Sequence, residues 1–209
     1  MAELIVVRHG ETAGESSIRL YGKTDIELSD FGREQMRRVA AALREIEFAA
    51  VYASPLKRSL ESARIAAGGR EPGIFIEEGF REINFGNWEG WTLPEAAERD
   101  PENYALWEKK TADFGFPGGD TKPGFFTRIM ETARSVFSSP PLPALAVLHK
   151  GVIRGVLAAL AERPLEEFMH APIELGGIHR LRRTPAGRWE LTASNETKHL
   201  GEFRLPGSK

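Results

Sequence analysis

Two histidines and two arginines stand at or just beyond the ends of short apolar runs, and together they form a set suited to holding a phosphate. Leu4-Ile5-Val6-Val7 runs into Arg8-His9-Gly10, and Leu145–Leu148 runs into His149-Lys150-Gly151. Ala49–Ala53 runs into Ser54-Pro55, with Arg58 just beyond. One histidine after a strand is ordinarily a structural hydrogen-bonder, and one arginine at a helix start is ordinarily solvated. Three such ends, each carrying an imidazole or a guanidinium, ask for a common ligand. The guanidinium fork fits the oxygens of a phosphoryl group better than a point charge does. A dianionic phosphate is the natural occupant.

These groups meet only if the runs are parallel strands of one sheet. Leu4–Val7, Ala49–Ala53, Ile74–Ile76 and Leu145–Leu148 are short and apolar and read as buried strands. Helical patterns follow three of them. Met36, Val39, Ala40, Leu43 and Ile46 make an apolar stripe over Asp30 to Ile46. Ser54-Pro55 is expected to open a second helix with Ser54 as N-cap. Val152 to Ala161 forms a third that is apolar all round, and Thr121 to Ser138 a further one, ended by Pro140-Pro141-Leu142-Pro143. Gly177–Thr184 and Arg188–Ala193 flank Pro185-Ala186-Gly187 as a late hairpin.

The alternation predicts an α/β fold, a three-layer sandwich whose mostly parallel, twisted sheet has helices on both faces. In such sheets ligands bind beyond the carboxyl ends of the strands, where helix N-termini favour anions. Residues 1–209 are read as a single domain with a cap-like, partly helical insertion over about 91–123, where aromatics, glycine and proline interrupt the alternation.

Composition narrows the class. The chain has 209 residues, a formal net charge of −2 and 41% hydrophobic residues, ordinary for a soluble protein with a substantial core. Nothing in that balance suggests nucleic acid or a membrane surface as partner. Cysteine is absent, which removes disulfides, thiolate metal sites and cysteine nucleophiles together. No leader segment and no apolar stretch near the roughly 20 residues of a spanning helix is visible, so a cytoplasmic location is expected. Gly22-Lys23-Thr24 is not a nucleotide-binding P-loop, because Ser17 stands where that motif needs glycine. No histidine pair has zinc spacing and no acidic cluster suits magnesium, so neither metal nor cofactor is expected.

In ordered blocks spanning nearly the whole chain, the sequence resembles the histidine phosphatase superfamily, the phosphoglycerate-mutase-like proteins. The blocks are Leu-Ile-Val-Val-Arg8-His9-Gly10-Glu11-Thr12, then Ser54-Pro55-Leu56-Lys57-Arg58-Ser59, then Arg81 to Gly90, and His149-Lys150-Gly151-Val152-Ile153-Arg154. The match also runs through Gly22, Asp25, Leu28 and Gly32, with weaker echoes at Pro117-Gly118-Gly119-Asp120 and at Asn195 with His199-Leu200.

The resemblance implies a phosphatase that hydrolyses a small phosphomonoester through a phosphohistidine on His9. It makes Glu82 the general acid and base, and Arg8, Arg58 and His149 the groups that hold the phosphoryl oxygens. Such chemistry asks mainly for fixed positive charge and positioning. Ser16, Tyr21, Gly22, Lys150 and Gly151 are expected to contact the substrate, a small phosphorylated metabolite. Trp88, Trp91, Trp107, Phe114, Phe116 and the loop around Tyr21-Gly22 suit a pocket wall, and core packing explains most of the aromatics equally well.

Two positions depart from the family pattern. Glu15 stands where an asparagine usually helps cradle the phosphate; the expectation is that Glu15 turns away and Ser16 or Ser17 takes its place. Lys150 replaces a small residue and either adds charge at the rim or faces solvent. Two alternatives stand beside the phosphatase. One is a phosphoglycerate mutase, which typically carries longer insertions that keep water from the phosphohistidine; the other is a non-catalytic phosphate-binding module. The sequence leaves the oligomeric state open.

Overall fold

In chain order the strands are β1 (Glu3–Arg8), β2 (Ala50–Ala53), β3 (Ile74–Ile76), β4 (Ala144–Leu148), β5 (Ile178–Arg183) and β6 (Trp189–Glu196). The helices are α1 (Asp30–Ala42), α2 (Lys57–Ala66), α3 (Leu93–Arg99), α4 (Pro101–Glu108), α5 (Lys122–Val136), α6 (Lys150–Ala161) and α7 (Glu166–Met169). This computed structural model describes residues 2–69, 73–109 and 113–206.

The six strands form one mixed sheet in the order β3-β2-β4-β1-β5-β6. The first four run parallel, while β5 lies antiparallel to β1 and β6 antiparallel to β5. Alternation along the strands separates two cores. Leu4, Val6, Tyr52, Ala146 and Leu148 pack with residues of α5 and α6, whereas Ile5, Val7, Val51, Leu145 and Val147 pack with α1 and α2. That is the expected sandwich, with every side chain from Leu4 to Val7 fully buried because both faces are covered.

Local chemistry sets the helix boundaries. The Ser29 hydroxyl accepts from the Gly32 N–H and starts α1, which buries Met36 and Val39. The apolar stripe continues to Ile46, but the helix ends at Ala42 and Ile46 reaches the same core from the following turn. Ser54 is not the N-cap of α2. The helix begins at Lys57, with Leu56 as its cap residue and no side-chain cap bond. The Ser54 hydroxyl is instead drawn to His149, 2.6 Å away.

The expected insertion contains α3, opened by a capping box between Thr92 and Glu95, and α4, opened by Pro101. Residues 110–112 of that stretch lie outside the described residues. Of the two readings open for the aromatics, core packing holds for Trp88, Phe114 and Phe116. They are buried against one another and join the core on the α5/α6 face, with Trp91 and Trp107 packed at its edge. Removing such large rings from water outweighs leaving them at a pocket wall.

Candidate active site

The register of the parallel strands brings the two histidines together. Arg8 of β1 pairs with Leu148 of β4, so the next residues, His9 and His149, leave the sheet side by side. Their ring centroids are 5.1 Å apart. One strand further out, Ala53 of β2 pairs with Val147, which sets Ser54 beside His149. Three strand ends thus deliver the site from backbone pairing alone.

Each imidazole has one nitrogen fixed. His9 Nδ1 lies 2.7 Å from the Gly10 carbonyl oxygen, which can only accept, so Nδ1 carries the proton and Nε2 keeps its lone pair. His149 Nε2 lies 2.6 Å from the Ser54 hydroxyl, and among the described residues its Nδ1 has no hydrogen-bond partner. Burial, and then the positive charges of Arg58 and Arg8, hold the His9 imidazole well below the usual range. His149 is lowered in the same way by burial, Arg58, His9 and Arg8. Both rings are therefore neutral at pH 7.

Arg58 is wholly buried at the start of α2. Its Nη1 donates to the Thr24 carbonyl at 2.8 Å, and its Nη2 to the carbonyls of Tyr21 at 3.1 Å and Gly22 at 2.7 Å. Arg8 donates from Nη1 to the Ile173 carbonyl at 2.8 Å. The neighbouring Glu174 carboxylate pairs with Arg204 at 2.8 Å and accepts from Asn195, which braces that loop behind Arg8. Burial pulls the Arg8 guanidinium down to about 10, against the pull of Glu82 and Glu11, so it remains charged at neutral pH.

Glu82 is buried beside these cations. Oε1 accepts from the Ile83 N–H at 2.9 Å and Oε2 from the Gly151 N–H at 3.0 Å, which fixes the carboxylate against the first turn of α6. The charge of Glu82 acts on Arg8, Arg58, Lys150 and Arg154. Burial, and then Arg8 and Arg154, lower the Lys150 ammonium to about 7 despite Glu82. Lys150 and Arg154 stand one turn apart on α6, on the same side of the helix. Among the described residues, no group of three or more His, Asp or Glu side chains is arranged to hold a metal ion.

Other expected contact residues turn their polar atoms to protein partners. Ser16 donates its hydroxyl to Glu11 at 2.8 Å and so does not take the place left by Glu15, and the Ser17 N–H donates to the same carboxylate. Glu15 does turn away: its backbone is left-handed (φ 63°) and its side chain is exposed, 3.7 Å from Arg19. Tyr21 and Gly22 hold Arg58 through their carbonyls, and the Gly151 N–H is taken by Glu82.

Three residues that support the site were not read as such from the sequence: Ser54, taken for a helix cap, and Glu11 and Glu89, which were given no role. Glu11 gathers the loop after His9 by accepting from Thr12, Ser16 and Ser17. The available signal was a carboxylate next to glycine-rich loop sequence, where backbone N–H groups lack strand or helix partners.

A family model described as the histidine phosphatase superfamily (branch 1) matches residues 4–197. Phosphoglycerate mutase-like protein 4 of Arabidopsis thaliana is 30% identical over 207 residues, covering 96% of this chain and 88% of that protein. Phosphoserine phosphatase 1 of Hydrogenobacter thermophilus is 28% identical over 215 residues, covering 100% of this chain and 99% of that protein. Among solved structures, the α-ribazole phosphatase of Shigella flexneri superposes with a TM-score of 0.84 at 25% identity, covering 93% of this chain and 96% of that one.

Proposed function

The chain belongs to the histidine phosphatase superfamily, branch 1, and from that membership we propose that it hydrolyses a small phosphomonoester through a phosphohistidine on His9. The observation that carries this reading is the pair of neutral imidazoles 5.1 Å apart, with the Nδ1 of His9 tied to Gly10 and its Nε2 left to attack. A covalent intermediate divides one difficult displacement into two easier ones.

In the first step His9 Nε2 attacks phosphorus, the ester P–O bond breaks, and Glu82 gives its proton to the departing oxygen. In the second, the Glu82 carboxylate takes a proton from water, the resulting hydroxide attacks phosphorus, and the N–P bond breaks to free inorganic phosphate and His9. Arg8 and Arg58 supply fixed positive charge to the equatorial oxygens, preorganised by their carbonyl contacts so that little rearrangement accompanies the reaction.

His149 is the third group on those oxygens. In this reading the Ser54 hydroxyl, which accepts the Leu56 N–H, gives its own proton to His149 Nε2. That choice leaves the imidazole proton on Nδ1, the nitrogen without a protein partner among the described residues. Lys150 adds a cation at the rim of the same site. Ser16, Tyr21, Gly22 and Gly151 act at one remove, by holding Glu11, Arg58 and Glu82.

The substrate class is the one to which both phosphoserine and α-ribazole phosphate belong, the compounds named for two relatives. The test is purified protein with an aryl phosphate, and then 3-phosphoglycerate with a bisphosphate primer. Release of inorganic phosphate in both supports the hydrolase. Isomerisation outrunning phosphate release makes the protein a mutase, and binding without turnover makes it a phosphate-binding module.

A further inference from the structure

Arg58 sits on three carbonyl oxygens of one short loop, and the N–H groups of that same loop point to a second charged residue on the far side. The Glu89 carboxylate accepts from the N–H of Gly22 at 3.1 Å, of Lys23 at 3.0 Å and of Thr24 at 3.2 Å. It also accepts from the Thr24 hydroxyl, and from the Phe85 N–H at 2.9 Å. A half-buried carboxylate that collects five donors is a fixed part of the frame.

Two of the peptide groups bridge the charges directly. In the peptide joining Tyr21 and Gly22, the carbonyl meets Arg58 at 3.1 Å while the N–H meets Glu89 at 3.1 Å. In the peptide joining Gly22 and Lys23, the carbonyl meets Arg58 at 2.7 Å and the N–H meets Glu89 at 3.0 Å. Each peptide dipole therefore lies with its negative end on the guanidinium and its positive end on the carboxylate. Both charges polarise the amide in the same sense, so each hydrogen bond strengthens the other.

The loop has no slack in which to adjust. A Cβ on Gly22 would fall 1.6 Å from the Ile83 carbonyl oxygen, so only glycine lets the chain pass between Glu89 and the backbone that leads from Glu82. Asp25, at the end of the loop, accepts from the Lys57 N–H at 2.8 Å and ties it to the first turn of α2, which carries Arg58.

We propose that Glu89 is a positioning residue for phosphate binding, acting on Arg58 through the peptide groups of residues 21–23. The inference rests on the reading of Arg58 as a phosphate ligand. It predicts that the Glu89 charge governs anion affinity from across the loop without touching the anion. Consistently, the Arg58 guanidinium, lowered first by burial, is raised by Glu82, Glu89 and Asp25.

The experiment is a double-mutant cycle read by calorimetric binding of inorganic phosphate to wild type, Glu89→Gln, Arg58→Ala and the double variant. Glutamine keeps the size but removes the charge, and it turns an amide N–H₂ toward backbone donors. The expected result is a loss of about tenfold to a hundredfold in phosphate affinity for Glu89→Gln, shrinking to less than about twofold when Arg58 is already alanine. An equal loss in both backgrounds, or none in wild type, overturns the proposal. Unchanged affinity in Arg58→Ala alone overturns the reading of the site instead. If Glu89→Gln does not fold, Thr24→Val runs the same cycle. It removes one donor to the carboxylate, with an expected loss of about threefold that likewise vanishes without Arg58.

Discussion

The backbone N–H of Gly151 donates a 3.0 Å hydrogen bond to Oε2 of Glu82, joining the proposed proton donor to the helix that starts after His149. The approach is close enough that a Cβ on Gly151 would lie 2.7 Å from Glu82 Oε1 and 3.0 Å from the Phe125 ring. The position of the carboxylate therefore depends on a residue with no side chain of its own.

Replacing Glu82 by glutamine should lower kcat by about 10²–10⁴-fold for substrates with poor leaving groups, the usual contribution of a positioned acid. The loss should be much smaller for an aryl phosphate such as p-nitrophenyl phosphate, whose leaving oxygen needs little protonation. Gly151→Ala should show the same leaving-group dependence in weaker form, because it displaces the acid without removing it. Equal losses for all leaving groups would argue against this role.

His9→Ala should reduce turnover at least about a thousandfold. Rapid quench with ³²P-labelled substrate should trap an acid-labile, base-stable phosphoprotein in wild type and none in the variant. His149→Ala should still be labelled, though slowly. A label that survives in His9→Ala would move the covalent chemistry to another residue.

Stability should fall as the solution is acidified below pH 6.5. His9 and His149 are held well below that value, and burial lowers His179 to about 4. The unfolded chain therefore takes up protons that the folded chain refuses. Their contribution is complete above the unfolded value and is lost progressively beneath it. Between pH 6.5 and 5.5 the expected loss is about 1 kcal/mol for each of these three histidines. Urea denaturation at the two pH values measures it, and coincident curves would contradict neutral burial.

Lys150 should impose a pH dependence on anion binding. Its ammonium is protonated below about pH 7 and neutral above it, being lowered by burial, Arg8 and Arg154 and raised by Glu82. Sulfate keeps a constant charge across this range, so its inhibition constant isolates the effect. Sulfate inhibition should weaken about threefold to tenfold from pH 6 to pH 8, as one partly screened charge is lost. In Lys150→Met the profile should be flat, and an unchanged slope there would place the titrating group elsewhere.

Much of the site was legible in the sequence because it follows from strand ends. Apolar runs such as Leu4–Val7 and Leu145–Leu148 announce buried parallel strands, and whatever residue comes next must appear at the carboxyl edge of the sheet. That rule requires no knowledge of strand order, so Arg8, His9, Arg58 and His149 could be gathered before the order β3-β2-β4-β1-β5-β6 was known. The late hairpin was equally readable from its turn residues.

What the tertiary structure alone decided concerns partners distant in sequence. Ser54 looks like a helix cap, and only the placement of β2 beside β4 gives its hydroxyl to His149. Trp88 suits a pocket wall or a core equally well in sequence, and the packing of Phe114 and Phe116 around it makes it core. Glu89 stands 67 residues from Gly22, and no local pattern tells which loop's N–H groups a carboxylate will collect. Side-chain periodicity and turn chemistry act over a few residues and are written in the chain, whereas hydrogen bonds form between whichever groups the folded sheet brings within about 3 Å.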